Sequence, residues 1–300
     1  MRPEKYRLRV FLVLLFLSTI SLGYLEYSEK KPPERRSSSI KKLPTYRGNL
    51  ELPSLKPRKK RKKKKARYRI ALIIDDVGNS KEMVYRVAKL PVTVTPSVLP
   101  FREYSLWATL YLKSMGFDVM LHLPMQPQNP ELMEKGMLTA GMGKSEMEKR
   151  LKEALRDVPF PVGINNHEGS LFTSSQRAMS LFFSLIKNRG IFFVDSWTSG
   201  SSVGLNLAKK MGISALRRDV FLDNLQDDYH IKKQWEILLE TARRKGFAVG
   251  IAHARWGTMA TLPGLLSSLP VGFSLVRVRS LVKELSSTSN KKGQRIREGQ

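Results

Sequence analysis

The chain has 300 residues, of which 41% are hydrophobic, and this is enough for one large domain or two modest ones. It contains no cysteine, so disulfide bonds and thiolate metal sites are excluded, and any metal ion must be held by His, Asp or Glu. The formal net charge of +27 is compatible with nucleic-acid binding. Whether it indicates such binding depends on where in the chain the positive residues lie.

The positive charge is concentrated near the N-terminus. Residues 1–69 carry 22 Lys and Arg against 5 Glu, which is well over half of the net charge. The lysine run in this segment has no interleaved aromatic residues and lies beside a hydrophobic segment, so specific nucleic-acid binding is the least favoured interpretation. The rest of the chain is only mildly basic.

The first predicted element is an uncharged apolar segment, residues 10–25, which follows a positively charged start. Sixteen residues at ~1.5 Å rise span roughly 24 Å, which reaches across a membrane only with the help of flanking residues. No small-x-small cleavage site follows, so residues 1–26 are predicted to be an uncleaved signal anchor rather than a signal peptide. This predicts a single-pass protein of the cell inner membrane, with its domain in the periplasm or outside, or a secreted protein if the segment is cleaved.

Residues 27–68 are rich in Lys, Arg, Pro and Ser, and end in a block of consecutive cations. They have too little apolar surface to offset the entropy of ordering, so this segment is predicted to be a disordered linker. Its basic block is expected to attract anionic lipids or other anionic polymers without specificity.

Residues 69–282 alternate strand-like and helix-like segments and are predicted to form one domain. The predicted strands are residues 70–74, 92–98, 118–121, 163–165, 191–194, a short segment around Ser214, 248–252 and 274–277. The predicted helices include residues 80–88, 104–115, 145–158 with Ser145 as N-cap, 175–190 and 227–246. This alternation predicts an α/β fold, an irregular (β/α) barrel of about seven or eight parallel strands. Residues 283–300 are predicted to be a disordered basic tail.

Polar side chains follow the predicted strands at the point where each strand ends. They are Asp75 and Asp76 after the first strand, then His122, His167, Asp195 and His253 after later ones. Because the carboxyl ends of parallel strands meet at one edge, we expect these side chains to converge. Two adjacent carboxylates there repel each other unless a cation or a shared proton relieves them.

Each of these residues also has a purely structural interpretation. Asp75 or Asp195 could cap the following helix, and Asn165 and Asn166 could form a turn. His230, within a predicted helix of charged residues, is interpreted as a surface residue. The coincidence of five strand ends carrying Asp or His favours a functional site over these alternatives.

The order of motifs DD, HLPM, NNHEGS, FFVDS, RDVFLDN and IAHA resembles the divergent polysaccharide deacetylase family over about residues 69–282. That family belongs to the carbohydrate esterase deacetylases, whose fold is an irregular (β/α) barrel of the glycoside hydrolase and deacetylase type. The resemblance implies an aspartate base at Asp75 and a metal-binding aspartate at Asp76. The wider superfamily has two histidines four residues apart in its next motif, whereas this chain has Gln126 four residues after His122.

The resemblance implies further roles around that centre. His167 is the expected substitute for the missing histidine, and the ion is expected to be a divalent metal, with Zn²⁺ favoured. His253 is the candidate acid, and Asp195 is expected to orient it or another imidazole. Trp197 is expected to stack on a sugar ring or to cover the core. The expected substrate-contacting or supporting residues are Asn166, Trp197, Arg218, Asp219 and Asp223, and for those between 218 and 223 the alternative is a salt-bridged turn.

The resemblance implies that these residues carry out metal-dependent deacetylation of an N-acetylated cell-envelope polysaccharide. The alternative is a catalytically inactive protein of the same fold that binds glycan or assists envelope assembly, because the second motif histidine is missing. The expected partners of the protein are the N-acetylated glycan substrate, the inner membrane through the N-terminal segment, and anionic lipids or polymers at the linker.

Overall fold

The computed structural model describes residues 67–297. The predicted anchor, residues 1–26, and nearly all of the predicted linker lie outside this range. Within the described range, no helix is both long enough and apolar enough to span a membrane.

All strand pairs of the described chain are parallel, as the sequence predicts, and they form one sheet. The strands are β1 (Tyr68–Val77), β2 (Thr95–Val98), β3 (Met120–Met125), β4 (Gly163–Glu168), β5 (Phe192–Asp195), β6 (Ala215–Arg217), β7 (Val220–Phe221), β8 (Phe247–His253) and β9 (Phe273–Leu275). Their order in space is β6-β5-β4-β3-β2-β1-β8-β7, and β9 pairs with β1. β9 pairs with the first residues of β1, whereas β2 pairs with its last residues.

Helices connect most of the strands. They are α1 (Lys81–Ala88), α2 (Ser105–Ser114), α3 (Lys144–Asp157), α4 (Gln176–Ile186), α5 (Gly204–Lys210), α6 (Asp228–Lys245), α7 (Trp256–Ser267) and α8 (Val278–Arg297), with a 3-10 turn at Pro130–Leu132. The predicted cap at Ser145 is wrong, because α3 already begins at Lys144 after Gly143. Gly246 ends α6 in the left-handed conformation, as expected of a C-terminal glycine.

Strand β1 is the centre of the core, and its residues 70–74 are fully buried. Alternate side chains of a strand face opposite sides of the sheet. Ile70, Leu72 and Ile74 pack in the larger cluster, which includes the apolar faces of the helices, while Ala71 and Ile73 pack in a smaller cluster inside the curled sheet. Both faces of β1 are therefore covered, which explains its unbroken apolar sequence.

Helix α8 closes the smaller cluster. Val278, Leu281 and Val282 pack there, and Glu284 forms an ion pair with Arg69 near the start of β1. The predicted disordered tail from residue 283 is therefore corrected up to Arg297, because the helix begins on buried residues and continues into the polar sequence. α8 covers the amino end of β1, whereas Asp75 and Asp76 lie near the other end of this strand.

The two edge strands of the sheet, β6 and β7, are consecutive in the sequence. Only Arg218 and Asp219 separate β6 at one edge from β7 at the other. The backbone N–H of Arg218 donates to Asp195 on β5, and that of Asp219 donates to Val249 on β8. The sheet is thus curled into a half-barrel, and all carboxyl ends of its strands point to one rim.

Candidate metal and catalytic centre

Most of the predicted polar residues lie at or near the carboxyl ends of their strands, whereas His122, which was expected to end its strand, is the third residue of β3. Asp75 and Asp76 lie near the end of β1, His122 lies on β3, His167 on β4, and His253 is the last residue of β8. Asp75 is the direct register partner of His253 across the β1–β8 pair. The expected convergence of these strand ends on one rim therefore holds for the histidines and for the two adjacent aspartates.

Asp76, His122 and His167 form a tight triangle of possible ligand atoms. Oδ1 of Asp76 lies 3.5 Å from Nε2 of His122 and 3.4 Å from Nδ1 of His167, and these two nitrogens are 3.1 Å apart. A tetrahedral ion with bonds of about 2.0–2.1 Å sets its ligand atoms about 3.3–3.4 Å apart. The triangle therefore has the dimensions of one face of a divalent metal site.

The polar atoms of this triangle fit a cation. Oδ1 of Asp76 is buried and has no hydrogen-bond partner among the described residues, although a buried carboxylate oxygen normally has one. The backbone of Asp76 adopts a φ of 60°, a strained conformation that non-glycine residues keep only when the surroundings require it. Within residues 67–297, this is the one group of three His, Asp or Glu side chains whose ligand atoms lie within 4.8 Å of one another.

The charges at the triangle are strongly coupled. Burial raises the pKa of Asp76, but the imidazoles of His122 and His167 outweigh burial and hold the pKa of its carboxyl well below the usual range. Burial lowers the pKa of His122, yet the charges of Asp75 and Asp76 reverse this and raise it. A carboxylate kept ionised beside two imidazoles supplies one oxygen and two nitrogen donors, and leaves a fourth position open.

The second imidazole of the triangle comes from His167 on β4 and not from the position four residues after His122. Gln126, which stands at that position, points elsewhere, because its Oε1 accepts a hydrogen bond from the backbone N–H of Ala140 at 2.9 Å. Strand β4 lies beside β3 with Pro124 and His167 as register partners, and this pairing brings the second imidazole to the rim.

Asp75 lies beside the triangle and is held by Asn165. Nδ2 of Asn165 donates to both carboxylate oxygens, at 3.0 and 2.9 Å, and Oδ1 of Asn165 accepts from Ser97. Burial raises the pKa of Asp75 even though His122 and His253 act to lower it. Nδ1 of His122 lies 3.6 Å from Asp75, on the opposite side of the ring from the triangle.

The turn proposed as an alternative for Asn165 and Asn166 is wrong, because both are buried residues of β4. Oδ1 of Asn166 accepts from the backbone N–H of Ser196, and its Nδ2 donates to the carbonyl of Glu168. Asn165 thus belongs to the candidate site, whereas Asn166 fixes the loop after β5.

His253 is oriented by Asp223. Nδ1 of His253 lies 2.8 Å from Oδ1 of Asp223, whose Oδ2 accepts from the backbone N–H of His253 and from the hydroxyl of Thr258. Phe221 stacks on the imidazole with ring centroids 5.7 Å apart. The Nδ1–H donor is thereby fixed, and Nε2 is left with no hydrogen-bond partner among the described residues.

The contact between His253 and Asp223 also shifts the pKa values of both side chains. Burial lowers the pKa of His253, but the hydrogen bond and charge of Asp223 outweigh it and the pKa is raised. Burial raises the pKa of Asp223, but the bonds to His253 outweigh it and the pKa is lowered.

Asp195 does not orient an imidazole, so this expectation is corrected. Its carboxylate accepts hydrogen bonds from the backbone N–H of Trp197, the hydroxyl of Ser202 and the backbone N–H of Leu205. These bonds hold the loop between β5 and α5 in place. This role resembles the helix-capping role that was the structural alternative for Asp195. The carboxylate that contacts His253 is instead Asp223, which follows β7, the strand that pairs with β8.

Trp197 lies in the loop after β5, where other residues hold it in place. Its backbone has a φ of 50°, and its carbonyl and that of Ser196 accept from the Arg218 guanidinium at 3.0 and 2.7 Å. Burial lowers the pKa of Arg218 to about 10. The guanidinium of Arg217 lies 3.8 Å from the centre of one of the indole rings.

Two of the remaining polar residues lie away from the centre. Asp219 binds Lys245 at 2.5 Å and the backbone N–H of Val249, so it takes part in closing the sheet. His230 pairs with Asp227 and is exposed on α6, as interpreted from the sequence.

Sequence reasoning missed two charged residues next to the triangle. Nη2 of Arg255 lies 3.5 Å from Oδ2 of Asp76, and its position two residues after His253 was a usable signal. Oε1 of Glu134 lies 3.9 Å from Nε2 of His167, and Glu134 forms an ion pair with Arg102. Nothing in the sequence placed Glu134 at the rim, because it follows a 3-10 turn in an irregular segment.

The curled parallel half-barrel, with acidic and imidazole side chains at its rim, defines the class of polysaccharide deacetylase-like proteins. The family model described as divergent polysaccharide deacetylase matches residues 72–282, and the chain belongs to this family.

Two relatives align with this chain over 216 residues each, which is 72% of its length. The chain is 31% identical over 216 residues to the uncharacterized protein YibQ of Escherichia coli (strain K12), covering 72% of this chain and 68% of the relative. It is 32% identical over 216 residues to an uncharacterized protein of Haemophilus influenzae (strain ATCC 51907 / DSM 11121 / KW20 / Rd), covering 72% and 77%. The crystal structure of an uncharacterized protein from Agrobacterium tumefaciens C58 has a TM-score of 0.69 at 23% identity, covering 73% of this chain and 90% of that one, which shows a common fold.

Proposed function

We propose that this protein is a metal-dependent hydrolase that removes acetyl groups from an N-acetylated glycan of the cell envelope. The observation that carries the proposal is the Asp76, His122 and His167 triangle, with Asp75 on one side of it. Membership of the divergent polysaccharide deacetylase family supports a glycan as the substrate class.

Asp76, His122 and His167 would hold the ion, and one carboxylate with two imidazoles is a donor set suited to Zn²⁺. When bound, a divalent cation acidifies a water molecule and polarises the acetyl carbonyl oxygen.

The protein's own residues then move the protons of amide hydrolysis. Asp75, which is not among the proposed ligands, takes a proton from the attacking water as general base, and Asn165 fixes its orientation. His253 gives a proton from Nε2 to the departing amine nitrogen, while Asp223 keeps Nδ1 protonated and stabilises the imidazolium. Water adds to the acyl carbon, the C–N bond breaks, and the products are acetate and a free amino sugar.

Trp197 is proposed to stack on a sugar ring next to the reacting acetamido group. Its intermediate exposure leaves part of the indole open, and Asp195 and Arg218 hold its backbone rigidly. A fixed aromatic platform loses little conformational entropy when a sugar binds.

The test is acetate release by the full chain, supplied with Zn²⁺, from N-acetylated chito-oligosaccharides and peptidoglycan fragments. We expect release by the wild-type chain and a loss of about 100-fold or more in Asp75→Asn, with His230→Ala as the control that retains activity. If the chain binds the metal and a glycan but releases no acetate, the alternative of an inactive glycan-binding or envelope-assembly protein replaces the proposal.

We also propose that the protein acts at the outer face of the cell inner membrane. This rests on the sequence of residues 1–68 alone, with its apolar segment and basic linker. Fractionation of cells expressing the chain with and without residues 1–26 tests it, and full recovery of the intact chain in the soluble fraction would contradict it.

A further inference from the structure

A cavity of about 770 Å³ opens beside the candidate centre. Pro124, the register partner of His167, and Glu134, which lies 3.9 Å from the His167 ring, both line it. Pockets of about 300–1,000 Å³ take ligands of drug size, which is also the size of a disaccharide. The cavity is therefore large enough for the sugar units next to the one whose acetyl group is cleaved.

Phe101 is one of the residues that line the cavity. This residue adopts a φ of 64°, and its backbone N–H donates to Oδ2 of Asp157 at 2.8 Å. Its ring packs on Gly136, where a Cβ atom would lie only 2.7 Å from the ring. A strained conformation persists only when its surroundings fix it, and such residues cluster at binding sites. The aromatic ring and the neighbouring Pro100 give an apolar surface suited to a sugar face.

The charges that line the cavity leave two cations without a partner. Glu134 pairs with Arg102 and Glu153 pairs with Arg150, while Asp157 accepts the Phe101 N–H and keeps its negative charge. The cationic side chains left over are Lys135 and Arg156, which are exposed and have no carboxylate within ion-pair distance among residues 67–297. With four cations against three carboxylates, the lining of the cavity carries a net positive charge.

We propose that this cavity is a subsite for a carboxylate-bearing sugar unit. The sugar ring would pack on the Phe101 side chain, and the sugar carboxylate would form ion pairs with Lys135 and Arg156. The inference rests on the proposed function and narrows its substrate to an acidic N-acetylated glycan. Two kinds of sugar carry such a carboxylate, a hexuronate and a lactyl ether of the muramic type.

The experiment measures the binding of three tetrasaccharides to the full chain carrying Asp75→Asn, which prevents turnover. They are chitotetraose, which is neutral, an alternating N-acetylglucosamine–glucuronate tetrasaccharide, and an alternating N-acetylglucosamine–N-acetylmuramate tetrasaccharide. In this background the double variant Lys135→Gln with Arg156→Gln is compared with Lys144→Gln and Lys149→Gln, which removes two exposed cations that do not line the cavity. The matched control is needed because the basic segment before residue 69 attracts any anion.

We expect the dissociation constant for at least one acidic tetrasaccharide to rise about tenfold in the Lys135 and Arg156 variant, since two exposed charge contacts are lost. The control variant should bind it like its parent, and chitotetraose should be bound equally by all three chains. Whichever acidic ligand responds identifies the source of the carboxylate. Equal affinities of the two double variants for both acidic ligands would overturn the subsite. Acetate release by the wild-type chain is measured in parallel, so a chain that shows the acidic preference but releases no acetate refutes deacetylation and leaves the subsite standing.

Discussion

The side-chain amide of Asn165 donates hydrogen bonds to both carboxylate oxygens of Asp75, at 3.0 and 2.9 Å. Strand β4 supplies Asn165 and strand β1 supplies Asp75, so the bond crosses the interior of the curled sheet above the intervening strands. It fixes the carboxylate that we propose as the general base, and it also links the base to the strand that carries His167.

Replacement of Asn165 by Ala should reduce both stability and activity. Asp75 and Ser97 would lose buried partners, and a buried polar group left without one costs about 1–3 kcal/mol. We expect the free energy of unfolding in urea to fall by this amount and kcat to fall about 10–100-fold, the usual effect of losing a residue that orients catalytic groups. Ser97→Ala is the control, because it removes only the bond on the far side of Asn165. Similar kcat values for the two variants would refute the positioning of Asp75 by Asn165.

Replacement of Asp223 by Asn should reduce stability in a pH-dependent way. The pKa of Asp223 is lowered, so its contribution is present above its unfolded pKa of about 3.9 and is lost as pH falls through the folded value. The pKa of His253 is raised, so its contribution is present below about 6.5 and is lost as pH rises through the folded value.

The difference in unfolding free energy between the wild type and Asp223→Asn should therefore be largest between about pH 4 and 6.5. Urea titrations at a series of pH values measure it, and Asp227→Asn, at an exposed Asp–His pair on α6, serves as the comparison with a smaller effect. A difference that does not change with pH would show that the two residues do not form an ion pair.

Substitution of His122 or His167 by Ala should weaken zinc binding. Each change removes one of three proposed ligands, and we expect the dissociation constant for Zn²⁺ to rise by about 100-fold or more in calorimetric titrations of an untagged chain. His230→Ala should bind zinc like the wild type, because this exposed histidine pairs with Asp227 away from the rim. If all three variants bind zinc equally, the ion is held elsewhere.

Asp195→Asn should affect stability and substrate binding more than the chemical step. The change weakens the bonds to Trp197, Ser202 and Leu205, so the free energy of unfolding should fall by about 1–2 kcal/mol. Because Trp197 is proposed to contact the sugar, we expect KM to rise while kcat stays within about threefold of the wild type. If the variant instead lost about as much turnover as we expect for Asp75→Asn, Asp195 would take part in the chemical step and would not act only through the loop that carries Trp197.

The sequence predicts the sheet well because the sheet depends on local signals. The unbroken apolar run of residues 70–74 identifies a strand buried on both faces, and β1 has both faces covered. The residues that follow this run, Asp75 and Asp76, reach the rim because every parallel strand ends there. Strand β7 was missed because its two residues are too short to form a pattern, although they complete the edge of the sheet.

The pairings within the site were harder to predict, because they depend on which strands are neighbours. Asp223 contacts His253 only because β7 lies beside β8, an order that no local pattern reveals. A turn was the structural alternative for Asn165 because Asn is common in turns, yet the curvature of the sheet brings it to Asp75. The polar composition of residues 283–300 suggested a disordered tail, whereas α8 begins on the buried residues Val278 and Leu281 and continues to Arg297.

The most direct test of the metal centre is an anomalous difference map from crystals of the zinc-loaded protein, measured at the zinc absorption edge. We predict a single strong peak within about 2.0–2.2 Å of Oδ1 of Asp76, Nε2 of His122 and Nδ1 of His167. A map with no peak between these three side chains, or with zinc bound only at other residues, would contradict the proposed metal centre.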